Sequence, residues 1–178
     1  MNGSQKMRRE RAIRSVSDTG NETARLATLR QYNILDTAPE AAFDALTRLA
    51  AHFCATPIAV ISLIDRNRQW FKSKVGWEAD EVPRDVALFC AQTILQPDFY
   101  VVPDAKADEY FVNTPLVVAD PPVRFYAGVP LTSSEGHALG TLCVIDHVAR
   151  NLNSEQVDAL CALAREVMIL LEMRRRGS

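Results

Sequence analysis

The sequence predicts an α+β domain: a mostly antiparallel sheet with terminal helices packed together on one side. Two observations carry this. Apolar residues recur at spacings of three and four near both ends, as on one face of a helix. Between them lie apolar or alternating stretches joined by short polar turns, the pattern of β-hairpins. With 178 residues, 48% of them apolar and 24% charged, the chain suits one domain with a sizeable core.

Residues 1–20 are polar and basic, and are expected to form a poorly ordered or weakly helical lead. The domain proper is expected over 21–176. Residues 22–32 place Leu26, Leu29 and Tyr32 on one face of a first helix. Thr37-Ala38-Pro39-Glu40 has the form of a capping box, a hydroxyl followed three residues later by Glu, so a second helix should open at Thr37. Its expected buried stripe is Phe43, Leu46, Leu49, Ala50 and Phe53, and Thr56-Pro57 ends it.

Strand signals follow. Residues 57–65 (PIAVISLID) are apolar on both faces, as in a central strand covered on both sides, and 69–76 (QWFKSKVG) alternate as its hairpin partner. Residues 85–95 read as a short helix and 99–104 as a strand. Residues 105–122 read as a loop with a helical turn around Asp108–Val112. Residues 123–133 and 138–146 form a second hairpin, whose turn carries Gly136 where a positive φ is needed. Asn153-Ser154-Glu155-Gln156 is another capping box. The helix it opens sets Val157, Leu160, Ala164, Val167 and Leu171 in a seam of two heptads, suited either to a coiled coil or to lying on the sheet.

Composition narrows the class. The net charge of -2 points to no polyanionic partner, and the basic residues near both ends read as solvated helix ends, so no nucleic acid is expected. No apolar run approaches a membrane span and no secretory signal is evident. A cytoplasmic location without membrane insertion is the expectation, with reduced cysteines. None of the four cysteines forms a C-x-x-C pair, and no metal site is expected. No phosphate-binding glycine loop and no Ser/His/Asp signature occurs, so no catalytic residue is assigned.

The segments 34–50, 57–76, 83–94 (PRDVALFCAQTI), 124–131 (RFYAGVPL) and 140–146 (GTLCVID), in this order and spacing, resemble the GAF domain. The likeness is to the bacterial sensory branch found in histidine kinases and diguanylate cyclases, and it covers about residues 22–173. It implies a sheet of about six strands, terminal helices on one face, and a ligand pocket with short helices and loops on the other. It also implies a homodimer through the terminal helices. The implied function is small-molecule sensing relayed through those helices to an output domain, which would hold any kinase or cyclase activity. The ligand is left unknown. A bilin site is not expected, because Ala91 follows Cys90 where such sites carry a Cys-His pair.

The pocket implied by this resemblance has Trp70, Phe89, Cys90, Asp104, Asp108, Phe111, Arg124, Tyr126 and Cys143 as candidate ligand-binding residues. Each has a structural alternative. Cys90 and Cys143 suit a redox-sensing thiol pair or soft metal ligands, or are small buried residues. Asp104 and Asp108, with Asp146, suit hydrogen bonds to a ligand, or cap turns and pair with Arg124 or Arg84. Alternation puts Arg124 and Tyr126 on one sheet face and Phe125 on the other. Arg124 suits an anionic or planar ligand, or pairs with a carboxylate. Trp70, Phe89, Phe111, Phe125 and Tyr126 together have the bulk to fill the pocket, which would leave a ligand-free dimerisation module. A thiol enzyme such as a free methionine sulfoxide reductase is the remote alternative, with only Cys90 and Cys143 as plausible cysteines.

Overall fold

A computed structural model describes residues 19–177. The basic lead expected over 1–20 lies almost wholly outside them. Helices α1 (Thr19–Gln31) and α2 (Ala41–Cys54) precede strands β1 (Ile58–Ile64), β2 (Arg68–Val75) and β3 (Glu81–Pro83). Helix α3 (Leu88–Thr93), strand β4 (Tyr100–Val102) and helix α4 (Pro115–Val118) come next. Strands β5 (Phe125–Thr132) and β6 (Ala138–Asp146) then lead into the long helix α5 (Ser154–Arg176).

All six strands form one antiparallel sheet in the order β3-β2-β1-β6-β5-β4. Every residue of β1 is buried, as a central strand covered on both faces must be. The sixth strand, β3, has no hydrophobic pattern to announce it. Its three residues, Glu81, Val82 and Pro83, end the sheet, where a proline costs no ladder bond and a charge discourages further pairing.

Helices α1, α2 and α5 cover one face and α3 and α4 the other. Alternation divides the side chains. Ala59, Ile61 and Leu63 of β1 face the long helices with Leu29, Phe43, Ala50, Leu160 and Val167. Ile58, Val60 and Ile64 face the short ones with Phe71, Phe89, Phe111 and Tyr126. The ends of the chain meet through side chains rather than along their helices. Tyr32 donates to Glu172 at 2.6 Å, and Arg175 lies over the Tyr32 ring, while α5 packs mainly on α2.

Two expectations need correction. The helix α2 opens at Ala41 without a capping box. Thr37 instead donates to the Ile34 carbonyl, and the buried Lys72 ammonium draws in Thr37 Oγ1, the Ala38 carbonyl and Glu40. An ammonium without water needs all three acceptors, which leaves none for the helix end. A register shift between β1 and β2 turns both Lys72 and Ser73 to this side, where Ser73 meets Thr47 and Asp44. Second, the buried face of α2 is Phe43, Thr47, Ala50 and Cys54, whereas Leu49 and Phe53 are 41% and 52% exposed. Of the two arrangements open to the seam of α5, the structure shows the packed one, against the sheet and α2: Leu160, Leu163, Ala164, Val167 and Leu171 are buried inside this chain. The capping box at Asn153 and Gln156 forms as expected, and Gly136 has φ +85°.

Candidate sensing site

The sheet face opposite the long helices is closed by aromatic rings. Helix α3 is a short segment, with a backbone turn at its start (Ala87 N–H to the Pro83 carbonyl), and it carries Phe89 and Cys90 down onto the strands. Phe89 stacks between Phe111 (centroids 4.2 Å apart) and Tyr126 (5.1 Å). Phe111 comes from the 105–122 segment, in which the Val112 N–H reaches the Asp108 carbonyl to make the expected helical turn. The stack leaves a cavity of about 30 Å³. That holds one or two waters, far below the roughly 300 Å³ at which drug-sized pockets begin.

Beneath the rings the face is polar. Cys90 Sγ lies 3.2 Å from Gln69 Nε2, 3.2 Å from Thr141 Oγ1 and 3.3 Å from the Tyr126 hydroxyl. Ser62 bonds to Thr141 at 2.8 Å and Thr93 to Tyr126 at 2.7 Å. When Ser62 donates to Thr141, the Thr141 proton turns toward the sulfur; the single proton of Thr93 serves either the Phe89 carbonyl at 3.0 Å or Tyr126, and in the second case the Tyr126 proton turns toward the sulfur as well. Cys143 lines the same cavity as Cys90. Burial works against a charged sulfur at Cys90. The hydrogen bonds from Cys143, Thr141, Tyr126 and Gln69 outweigh it and hold this thiol below its ordinary range. Cys143 is pushed the other way, because its proton is held by Cys90 and its site is buried. Burial and the neighbouring sulfurs likewise raise Tyr126.

Five of the nine residues singled out in the sequence therefore converge here: Phe89, Cys90, Phe111, Tyr126 and Cys143. Trp70 does not. It pairs with Leu63 in the ladder and so faces the long helices, within their core. Asp104 and Arg124 are engaged with each other in a two-pronged ion pair at 2.8 Å, with the guanidinium holding the carboxyl below its usual range. Asp108 accepts the Tyr110 N–H and Asp146 pairs with Arg150. Arg124 precedes the first residue of β5. The residues missed in the sequence are Ser62, Gln69, Thr93 and Thr141. Ser62 and Thr141 were open to notice as hydroxyls set in otherwise apolar strands, both turned to this face by alternation. Gly128 completes the geometry: a Cβ there would lie 2.4 Å from the Tyr126 hydroxyl, so only glycine lets that ring fold over the strand.

A second, open groove of about 730 Å³ lies at the sheet end, between α1, α3 and the two hairpin turns. Its arginines are partly committed. Glu22 of α1 binds both Arg25 and Arg84, and Arg84 also donates to the Asp65 carbonyl. None of the nine candidates lines this groove. Among the described residues, no group of three or more His, Cys, Asp or Glu side chains comes together to hold a metal, and no helix is long and apolar enough to cross a membrane.

A six-stranded antiparallel sheet with long helices behind and a short-helix roof in front is the architecture that the sequence resemblance implied. The family model of the GAF domain matches residues 38–171, most of the chain. The chain belongs to the GAF domain family. A cyclic di-GMP phosphodiesterase of Pseudomonas aeruginosa is 38% identical over 156 residues, which are 87% of this chain. The match takes up 26% of that protein, so the chain spans about a quarter of the relative's length. Among solved structures, the GAF domain of an Acinetobacter phosphoenolpyruvate-protein phosphotransferase superposes with a TM-score of 0.62 at 16% identity, covering 86% of this chain and 95% of that one. The blue-light-absorbing form of the PixJ GAF domain of Thermosynechococcus elongatus gives 0.54 at 17% identity, covering 88% and 90%. This GAF domain is thus a sensory domain of the kind that signalling proteins carry.

Proposed function

We propose that this domain regulates a catalytic unit joined to it, passing the state of the closed sheet face to the terminal helices. The observation that carries this is the Arg84–Glu22 ion pair. Arg84 stands between β3 and α3, in the segment that roofs the cavity, and Glu22 stands on α1. A shift of the roof therefore acts on a terminal helix through two side chains. The regulated activity is taken to be cyclic di-GMP hydrolysis, after the name of the Pseudomonas relative. The domain itself carries out no catalysis in this reading.

The same reading has the domain work as a homodimer. The heptad seam of α5 is spent inside the chain, so the contact falls on another face. Ile169 and Met173, one turn apart and 49% and 65% exposed, supply its apolar centre.

The test replaces the matching segment of the Pseudomonas enzyme with this domain. Glu22→Gln in that hybrid should change phosphodiesterase activity by about threefold or more, a modest coupling by the standards of allosteric proteins. Unchanged activity in a folded hybrid contradicts the relay. A second reading, a ligand-free dimerisation module, is favoured by the ring stack that fills the face. It predicts a dimer whose activity ignores Glu22→Gln.

A further inference from the structure

We propose that Cys90 and Cys143 form an oxidant-sensing pair, in which Cys90 reduces hydrogen peroxide held in the small cavity and Cys143 closes a disulfide with it. The chemistry of the sulfurs stands whether or not the helical relay operates.

Three features of the cavity lead there. The first is the cradle. A sulfur that accepts from Gln69, Thr141 and Tyr126 is built for an anion, and the thiolate is the nucleophile of cysteine. Among the described residues no Lys or Arg lines this cavity, so the hydroxyl and amide donors do the stabilising. The second is the unused hydrogen-bonding capacity. Gln69 Oε1 and Trp77 Nε1 are the two buried side-chain atoms without a partner among the described residues, and both residues line the cavity with Cys90 and Cys143. Gln69 is 5% exposed. One orphan accepts and the other donates, which suits a small molecule that does both. The third is size. A cavity of about 30 Å³ admits water or hydrogen peroxide and excludes a nucleotide or a metabolite.

The Cys90 thiolate attacks one peroxide oxygen. The S–O bond forms as the O–O bond breaks, and hydroxide leaves and takes a solvent proton to become water. The product is the Cys90 sulfenic acid. The Cys143 sulfur then displaces its hydroxyl, which departs as water with the Cys143 proton. The S–S bond forms, and two thiols have been oxidised while one peroxide is reduced to two waters. Cys54 and Cys161 stand apart. Burial raises the Cys54 and Cys161 thiols, and neither has such a cradle.

The reduced 178-residue chain, treated with a small excess of hydrogen peroxide at neutral pH and then alkylated under denaturing conditions, tests this. Before alkylation the expected product is about 2 Da lighter than the reduced chain; after alkylation it carries two alkyl groups, on Cys54 and Cys161, with the Cys90 and Cys143 peptides joined. Cys90 should be consumed about tenfold or more faster than Cys54. In Cys143→Ser the reaction should stop at a dimedone-reactive sulfenic acid on Cys90. Oxidation of Cys90 no faster than Cys54, or a disulfide through Cys161, overturns the proposal. The wild-type peptide map decides even where Cys143→Ser fails to fold. Amide exchange in α1 and α5 of the same samples reads the relay separately: a formed disulfide with unchanged helices refutes the relay and leaves the sulfur chemistry standing.

Discussion

Lys72 shows how one buried charge reshapes its surroundings. Its side chain has no exposed surface, and its ammonium is held by Glu40, Thr37 and the Ala38 carbonyl, above the Phe43 ring. Removing it severs three charge-assisted bonds while Glu40 keeps its second partner, Arg174. Lys72→Ala should cost about 2–3 kcal/mol in a urea titration. Gly128 makes a parallel case on the other face. Gly128→Ala drives a methyl into the Tyr126 hydroxyl, and should cost about 1–3 kcal/mol while slowing the reaction of Cys90 with peroxide. Glu22 sets the acid limb. Partial burial would raise its pKa, but hydrogen bonds from Arg25 and Arg84 win and bring it down to about 2. A carboxyl depressed on folding adds stability above its unfolded pKa, near 4.5, and loses it as pH falls toward 2. The thermal midpoint of Glu22→Gln should therefore fall less steeply over that range than that of the parent.

At the scale of elements, the sequence was most legible where burial is complete. The strands β1, β2, β5 and β6 and the helix α5 follow from hydrophobic periodicity alone, because water on neither or only one face imposes a pattern. The edge strand β3 was not legible: three residues with a charge and a proline carry no period, and only pairing with β2 makes them a strand. The stripe of α2 was read about one position off. Which side of the helix meets the sheet is a direction that periodicity does not encode: Thr47 bonds to Ser73 of β2 and is buried with Cys54, and Leu49 and Phe53 are left outside. The seam of α5 fitted both a coiled coil and a sheet-packed helix, and a two-heptad repeat cannot separate them. The structure spends that seam internally, so the proposed dimer would rest on Ile169 and Met173. Ile169→Glu with Met173→Glu should leave the thermal midpoint within a few degrees and convert the dimer to monomer in sedimentation, since both side chains are largely exposed in the single chain.

For the whole molecule, the candidate site was half visible. Phe89, Cys90, Phe111, Tyr126 and Cys143 could be placed because the resemblance to the GAF domain implied a pocket under the short helix and loops, on one face of the sheet. The polar partners of Cys90 come from β1, β2, β5 and β6, far apart in sequence, and only the folded sheet collects them. Asp104 and Arg124 were named for a ligand and satisfy each other instead. The fold that results has a closed, ring-filled face on one side, an exposed helix layer on the other, and an ion pair, Arg84 with Glu22, running from roof to terminal helix. The proposed relay runs through that connection. Its most direct measurement is hydrogen exchange across α1 in Phe89→Leu, which loosens the ring stack and keeps its apolar bulk. Exchange in α1 should rise about threefold or more over the parent, and the rise should vanish when Glu22→Gln has already cut the tie. Equal exchange in α1 with and without the Phe89 ring, while the roof itself exchanges faster, would contradict it.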